Sequence, residues 1–94
     1  MINTFKDKIT RKIFDGLKVK GVDKNLAKKT RRRLELLNAA KRIEDLYFPP
    51  SNKFHSLEGR KPTRYAIQVN KQWRISFEWH DDSNAYDVYF EDYH

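Results

Sequence analysis

The side chains in this sequence that can move protons or hold a phosphate gather at a few places. Asp92, Tyr93 and His94 follow one another at the carboxyl end, an acid, a phenol and an imidazole after an alternating aromatic and β-branched run. Lys53 and His55 lie mid-chain, and Arg74 sits on an alternating segment between these two places. Histidine titrates near neutrality and can serve as acid or base. Arginine stays charged and grips phosphate bidentately. RNA carries its own nucleophile, the 2′-OH. Cleavage of its strand therefore asks only for a base, an acid for the departing 5′-oxygen and a cation for the charge building on phosphorus. His55, His94 and Arg74 can fill those roles, with Asp92 orienting an imidazole and Tyr93 stacking or hydrogen-bonding.

Each of these residues also has a structural use. A mid-chain His such as His55 is often surface decoration. Arg74 can pair with Glu78 or Glu91 across a sheet, a contact worth little at a surface. Tyr93 can close a core. His80 lies in a turn and is read as structural only. The run Arg31-Arg32-Arg33 reads as a solvated helix face that reaches RNA phosphates at longer range.

The 94 residues allow one domain, residues 1–94, with a single two-layer core. Six Phe, five Tyr and two Trp supply its large apolar bodies. The chain has no Cys, which removes disulfides and thiolate metal sites and fits a reducing cytoplasm. The first residues hold no apolar stretch of signal-peptide length and no later run approaches a membrane span, so the expected location is cytoplasmic, with no membrane contact. A formal net charge of +7 and a pI near 9.7 point to polyanionic partners. Three scattered His and three Gly offer neither a metal-ligand spacing nor a glycine-rich phosphate loop, and no cofactor is expected.

The elements that must position these residues show in the periodicity. Met1 to Phe5 reads as a short first strand. Ile9, Ile13, Phe14 and Leu17 recur at helical spacing, ended by Gly16 and Gly21. Asp23 reads as the N-cap of a second helix through Ala40, with a buried stripe of Ala27, Leu34, Leu37 and Ala40. Pro49-Pro50-Ser51-Asn52 opens a loop, and Lys53 to Leu57 reads as a short strand. Tyr65, Ile67 and Val69, then Trp73, Ile75, Phe77 and Trp79, then Tyr86, Val88 and Phe90 alternate with polar residues. The fold class is α+β: two N-terminal helices on one face of a small curved antiparallel sheet, the other face open to solvent. That open face carries Arg74, Ser76, Tyr89, Glu91 and Tyr93, with Lys53 and His55 on one side and Arg64 and Lys71 nearby. Such a face can bind phosphates and stack a base.

The stretch Asn70-Lys71-Gln72-Trp73-Arg74-Ile75-Ser76-Phe77, followed by Glu91-Asp92-Tyr93-His94, resembles the HigB branch of the RelE/ParE toxin superfamily. Pro49 to Gly59 and Leu34 to Ala40 fit the same branch, so the similarity covers nearly the whole chain. The resemblance implies a toxin of a type II toxin–antitoxin pair, a ribosome-dependent endoribonuclease that cleaves mRNA in the A site without a metal. It implies His55, Arg74, Asp92, Tyr93 and His94 as catalytic residues; the open face beside them offers Lys53, Arg64, Asn70 and Lys71 as the expected RNA-binding set. It also implies a helix-turn-helix antitoxin (HigA-like) as partner, the ribosome and its mRNA as target, and operator DNA reached only through the antitoxin. Glu58 and Asn70 stand where some relatives carry basic residues; Lys53, Arg64 and Lys71 are the cations that would compensate.

Two other classes remain open at this point. One is a non-cleaving growth inhibitor, such as the gyrase poisons of the wider superfamily, which lack the terminal Asp-Tyr-His. The other is an inactive toxin acting only as co-repressor with its antitoxin.

Overall fold

A computed structural model describes residues 1–93, so His94 lies outside the described residues. Two helices, α1 (Lys8–Phe14) and α2 (Lys24–Ala39), precede four strands, β1 (His55–Leu57), β2 (Arg64–Gln68), β3 (Trp73–Trp79) and β4 (Ala85–Asp92). The strands form one antiparallel sheet in the order β1-β2-β3-β4. Short 3-10 turns at Ile43–Tyr47 and Pro50–Asn52 bridge the helical and sheet halves. The α+β expectation holds.

Helix α2 begins where its cap dictates. The Asp23 carboxylate accepts from the Leu26 amide at 2.8 Å, satisfying a donor that the first turn leaves unpaired. Its buried side is Thr30, Leu34 and Leu37, continued by Ala40 just past its end, while Ala27 is only half-buried. Helix α1 is shorter than the Ile9–Leu17 spacing predicts, and both of those residues are exposed. Its buried side is Thr10 and Ile13. The Thr10 hydroxyl donates to the capping carboxylate of Asp7 at 2.6 Å and accepts from the Phe90 amide at 3.0 Å, fastening α1 to β4 one residue before Glu91. Gly16 follows in the left-handed region (φ +79°), and a Cβ there would press within 3.4 Å of the Arg31 guanidinium carbon. Arg31 uses that space to donate to the Phe14 carbonyl at 3.1 Å.

The core lies between the helices and one sheet face, built from Ile13, Leu34, Leu37, Ile67, Ile75, Phe77, Val88 and Phe90 among others. Trp73 stacks on Phe90 with centroids 4.5 Å apart, closing the end of the core nearest Arg74.

Two differences from the periodicity matter for the site. Strand β4 carries one extra residue between its pairings with Ser76 and Glu78, where Asp87 adopts a left-handed conformation (φ 56°). The bulge reverses the alternation. Ala85 therefore faces the core, and Tyr86 joins Glu78 on the outer face instead of lying with Val88 and Phe90. The Met1–Phe5 segment is not a continuous strand. It runs parallel to β4 through bridges at Ile2–Ala85 and Phe5–Val88, and Thr4 spans the bulge by accepting from the Asp87 amide through its hydroxyl (2.8 Å) and from the Val88 amide through its carbonyl (3.1 Å).

Candidate active site

The outer sheet face is closed at its centre. Ala66 and Ser76 have no exposed surface and Arg64 is 7% exposed. Arg64 donates to the Ser76 hydroxyl at 3.0 Å, to the Asp87 carbonyl at 2.8 Å and to the Asp87 carboxylate at 3.3 Å, with Glu78 at 3.7 Å. Arg64, expected among the RNA-binding residues, thus has its charge engaged inside the sheet.

Beside this closed centre lies an open cleft of about 660 Å³, lined by Arg60, Arg74, Tyr89, Glu91, Asp92 and Tyr93. Register explains the assembly. Arg74 is paired directly with Glu91 across β3 and β4, and Trp73 with Asp92. Arg74 donates through Nε to Glu91 Oε1 at 2.7 Å, with Nη2 2.5 Å from the same oxygen. The pair is mostly buried, at 15% and 12% side-chain exposure, so it is not the weak surface pair the sequence allowed. The Arg74 guanidinium lies over the Tyr93 ring at 4.9 Å. Tyr93 is held in turn, its amide donating to the Gln72 carbonyl (3.0 Å) and its hydroxyl to the Asn70 carbonyl (3.2 Å). Asp92 is exposed and accepts from the Gln72 side chain at 3.1 Å.

Asn70 acts within the β2–β3 turn. Its side-chain oxygen accepts from the amides of Gln72 and Trp73, both at 2.8 Å, which shapes the turn leading into Arg74. Its place in the RNA-binding set thus has a local alternative in full use. Lys71 is exposed in the same turn.

His55 and Lys53 stand apart from the cleft. His55 opens β1 in the cross-strand row that runs through Ala66 and Ser76 to Tyr89. Strands lie about 4.8 Å apart, so β1 and β3 are separated by roughly 10 Å. The His55 Nδ1 is 2.8 Å from the Lys53 carbonyl. A carbonyl only accepts, so Nδ1 carries the proton and the neutral ring keeps its lone pair on Nε2. The loop before it is anchored to α2: Arg33 donates to the buried Asn52 side chain, whose amide donates to the Leu46 and Phe48 carbonyls, both at 3.1 Å. Partial burial lowers the Arg33 pKa from its ordinary value. The helix cluster expected to be a solvated face is thus partly structural.

Of the five expected catalytic residues, the cleft unites Arg74, Asp92 and Tyr93; His55 is on the far edge strand, and His94 is outside the described residues. Arg60 and Tyr89 line the cleft but were absent from the expected set, although alternation already pointed Tyr89 outward. Lys6 sits over the Tyr89 ring at 4.7 Å, brought there by the N-terminal segment along β4. Nothing in a local pattern signals either cation. Among the described residues, no cluster of three or more His, Asp or Glu could hold a metal ion, and no helix is long and apolar enough to cross a membrane.

Positive charge is concentrated on the helical side. Residues 1–42 hold fourteen Lys and Arg against four Asp and Glu, whereas residues 43–94 hold six against nine. The cleft half therefore carries only a few placed cations, and the broad positive field comes from the helices.

A model of the RelE-like toxin HigB of type II toxin–antitoxin systems matches residues 3–94. The chain belongs to the HigB-like toxin family. Among curated HigB-like relatives, the chain is 37% identical over 78 residues to Toxin HigB-1 of Vibrio cholerae serotype O1, covering 82% of each. It is 31% identical over 94 residues to Endoribonuclease HigB of Proteus vulgaris, covering all of both. An uncharacterized protein of Haemophilus influenzae is 34% identical over 61 residues, or 65% of this chain and 60% of its own. The HigB assignment makes this a type II toxin, a class defined by pairing with an antitoxin, and the two helices on an open antiparallel sheet agree with a RelE-like fold.

Proposed function

We propose that this toxin is a ribosome-dependent endoribonuclease that cleaves mRNA in the A site by acid–base attack of the 2′-OH, without a metal. The observation that carries the reading is the Arg74 guanidinium, gripped on one edge by Glu91 and on one face by Tyr93, at the wall of an open cleft. A charge so held suits the anion that develops on phosphorus. The full-length relative named an endoribonuclease supports the reaction class.

In this reading Arg74 holds the scissile phosphate, and Arg60, Lys53 and Lys71 contact its neighbours. Tyr89 and Tyr93 present rings for stacking a base. An RNA strand lying across β2 spans from the cleft to His55. His55, whose neutral tautomer has its lone pair on Nε2, takes the 2′-OH proton. His94 gives a proton to the departing 5′-oxygen, with Asp92 as the acid that orients an imidazole. The basic helices grip ribosomal RNA phosphates, and the ribosome supplies the orientation of the strand that so small a face lacks. The partner is a helix-turn-helix antitoxin of the HigA kind, through which the pair contacts operator DNA. The site of action is the cytoplasm.

Expression without an antitoxin tests the reading. Cells should stop growing and accumulate mRNA with new 5′ ends inside codons, and Arg74→Ala should relieve both. Growth arrest with intact mRNA would contradict it.

A further inference from the structure

A carboxylate on the wall of a phosphate-binding cleft ought to repel the ligand, yet Glu91 lines the same cleft as Arg74. We infer that Glu91 is a positioning residue of the cleavage site, the near end of a polar relay that runs from the β4 bulge through Arg64 and Ser76 and aims Arg74. The inference rests on the proposed reading of the cleft as an RNA-cleaving site.

Both oxygens of Glu91 are committed. Oε1 takes Nε and Nη2 of Arg74, and Oε2 accepts from the Ser76 hydroxyl at 3.0 Å. That hydroxyl in turn accepts from Arg64 at 3.0 Å, and Arg64 is anchored at Asp87 and Glu78. Charges alternate along the path: Asp87 and Glu78, then Arg64, then Glu91 through Ser76, then Arg74. The intermediate members are shut from water, with Ser76 fully buried and Arg64 at 8% side-chain exposure. In such surroundings each contact is stronger than its surface counterpart, and leaving a member without its partner is costly.

The geometry at Arg74 gives the relay its use. A guanidinium has five N–H groups in a rigid plane. Glu91 occupies the side edge and Tyr93 packs on a face, which leaves the end edge bearing Nη1 for the phosphate. The plane is thereby oriented before RNA arrives, and no rotamer search is needed on binding. Ser76 fixes the direction of Glu91: its single proton goes to Oε2 because its acceptor side already serves Arg64. An amide in place of the carboxylate has one acceptor oxygen, so it must turn its N–H groups either on that hydroxyl, which loses its acceptor, or on the Arg74 guanidinium, which loses its anchor.

The test is single-turnover cleavage of ribosome-bound mRNA by wild type, E91Q, S76A, R74A and the double variant R74A/E91Q, alongside thermal melting of each free protein. The maximal rate of E91Q and of S76A should fall about 10- to 100-fold, with half-saturation changed by less than about twofold. R74A/E91Q should be no slower than R74A, since Glu91 acts only through Arg74. If E91Q melts early, S76A, which removes one hydroxyl, carries the same test. Wild-type rates for both E91Q and S76A, or losses that multiply in R74A/E91Q, would overturn the inference. A wild-type rate for R74A would instead overturn the underlying reading of the cleft.

Discussion

Arg64 reaches from β2 across β3 to donate to the Asp87 carbonyl at 2.8 Å, joining the second strand to the bulge of the fourth. The contact explains why a cation in a strongly basic toxin lies inside the sheet. The bulge turns the Asp87 carbonyl out of the ladder, and a rigid fork of donors collects it together with the Ser76 hydroxyl.

Replacing Arg64 by Met should therefore destabilise the fold. The loss should be about 2–4 kcal/mol, reduced from the cost of breaking a fully buried pair because the Asp87 carboxylate is half exposed. Arg64→Lys should recover little, because an ammonium cannot reproduce the fork. Urea unfolding reads both. A phosphate contact at this position would predict unchanged stability with weaker RNA binding.

Asn52 should matter to the edge strand in the same indirect way. Its buried amide group bonds the Leu46 and Phe48 carbonyls and receives Arg33. Asn52→Ala should cost about 1–3 kcal/mol by leaving those groups unsatisfied. It should also broaden the His55 ring signals in NMR spectra, while the contacts of Arg74 persist. Sharp, unchanged His55 signals would show that the loop does not depend on this clamp.

The β3–β4 turn should loosen at both pH extremes. Its Tyr86 hydroxyl donates to Asp82, which lowers the Asp82 pKa below its ordinary 3.8 and raises the Tyr86 pKa above its ordinary 10.0. A lowered acid stabilises above its unfolded pKa and loses that contribution as pH falls through the folded value. A raised phenol stabilises below its unfolded pKa and loses it as pH rises through the folded value. Protection of the Asn84 amide, whose N–H also bonds Asp82 at 3.1 Å, should be greatest between these limits once its exchange rate is divided by the intrinsic rate at each pH. Tyr86→Phe should flatten the profile.

The helical surface predicts a salt dependence separable from chemistry. Charge reversal at Lys28 and Arg32, both exposed on α2, should weaken ribosome association and shallow its log–log salt slope by about one unit for each phosphate no longer held. Cleavage at saturating ribosome should stay near the wild-type rate. An unchanged slope would remove α2 from the ribosome interface.

Much of this fold was legible because strong local rules agreed. The Asp23 cap, the Leu34–Leu37 stripe and the alternation through Trp73, Ile75 and Phe77 each have a local cause, and tertiary packing respected them. The bulge at Asp87 did not show. Ala85-Tyr86-Asp87-Val88 alternates as a regular strand does, and only the left-handed Asp and the reach of Arg64 select the extra residue. Arg64 itself read as a surface cation because charge is seldom buried, and its three acidic and hydroxyl partners come from two other strands. In the site, alternation placed Arg74, Tyr89, Glu91 and Tyr93 together on one face. The pairing of Arg74 with Glu91 was foreseen as a possibility, but its burial depends on register that no local pattern records. Arg60 arrives from the β1–β2 loop, and Lys6 from a segment more than eighty positions from Tyr89, so neither was visible locally.

Primer extension on a defined mRNA in a purified translation system reads ribosome-dependent cleavage at this cleft without intermediate steps. Wild-type protein should produce a new 5′ end within the A-site codon only when ribosomes are present, without added metal beyond what translation needs, and R74A should produce a far weaker one, slow enough to need long incubation. An intact mRNA in both reactions, or cuts that ignore the ribosome, would contradict the account.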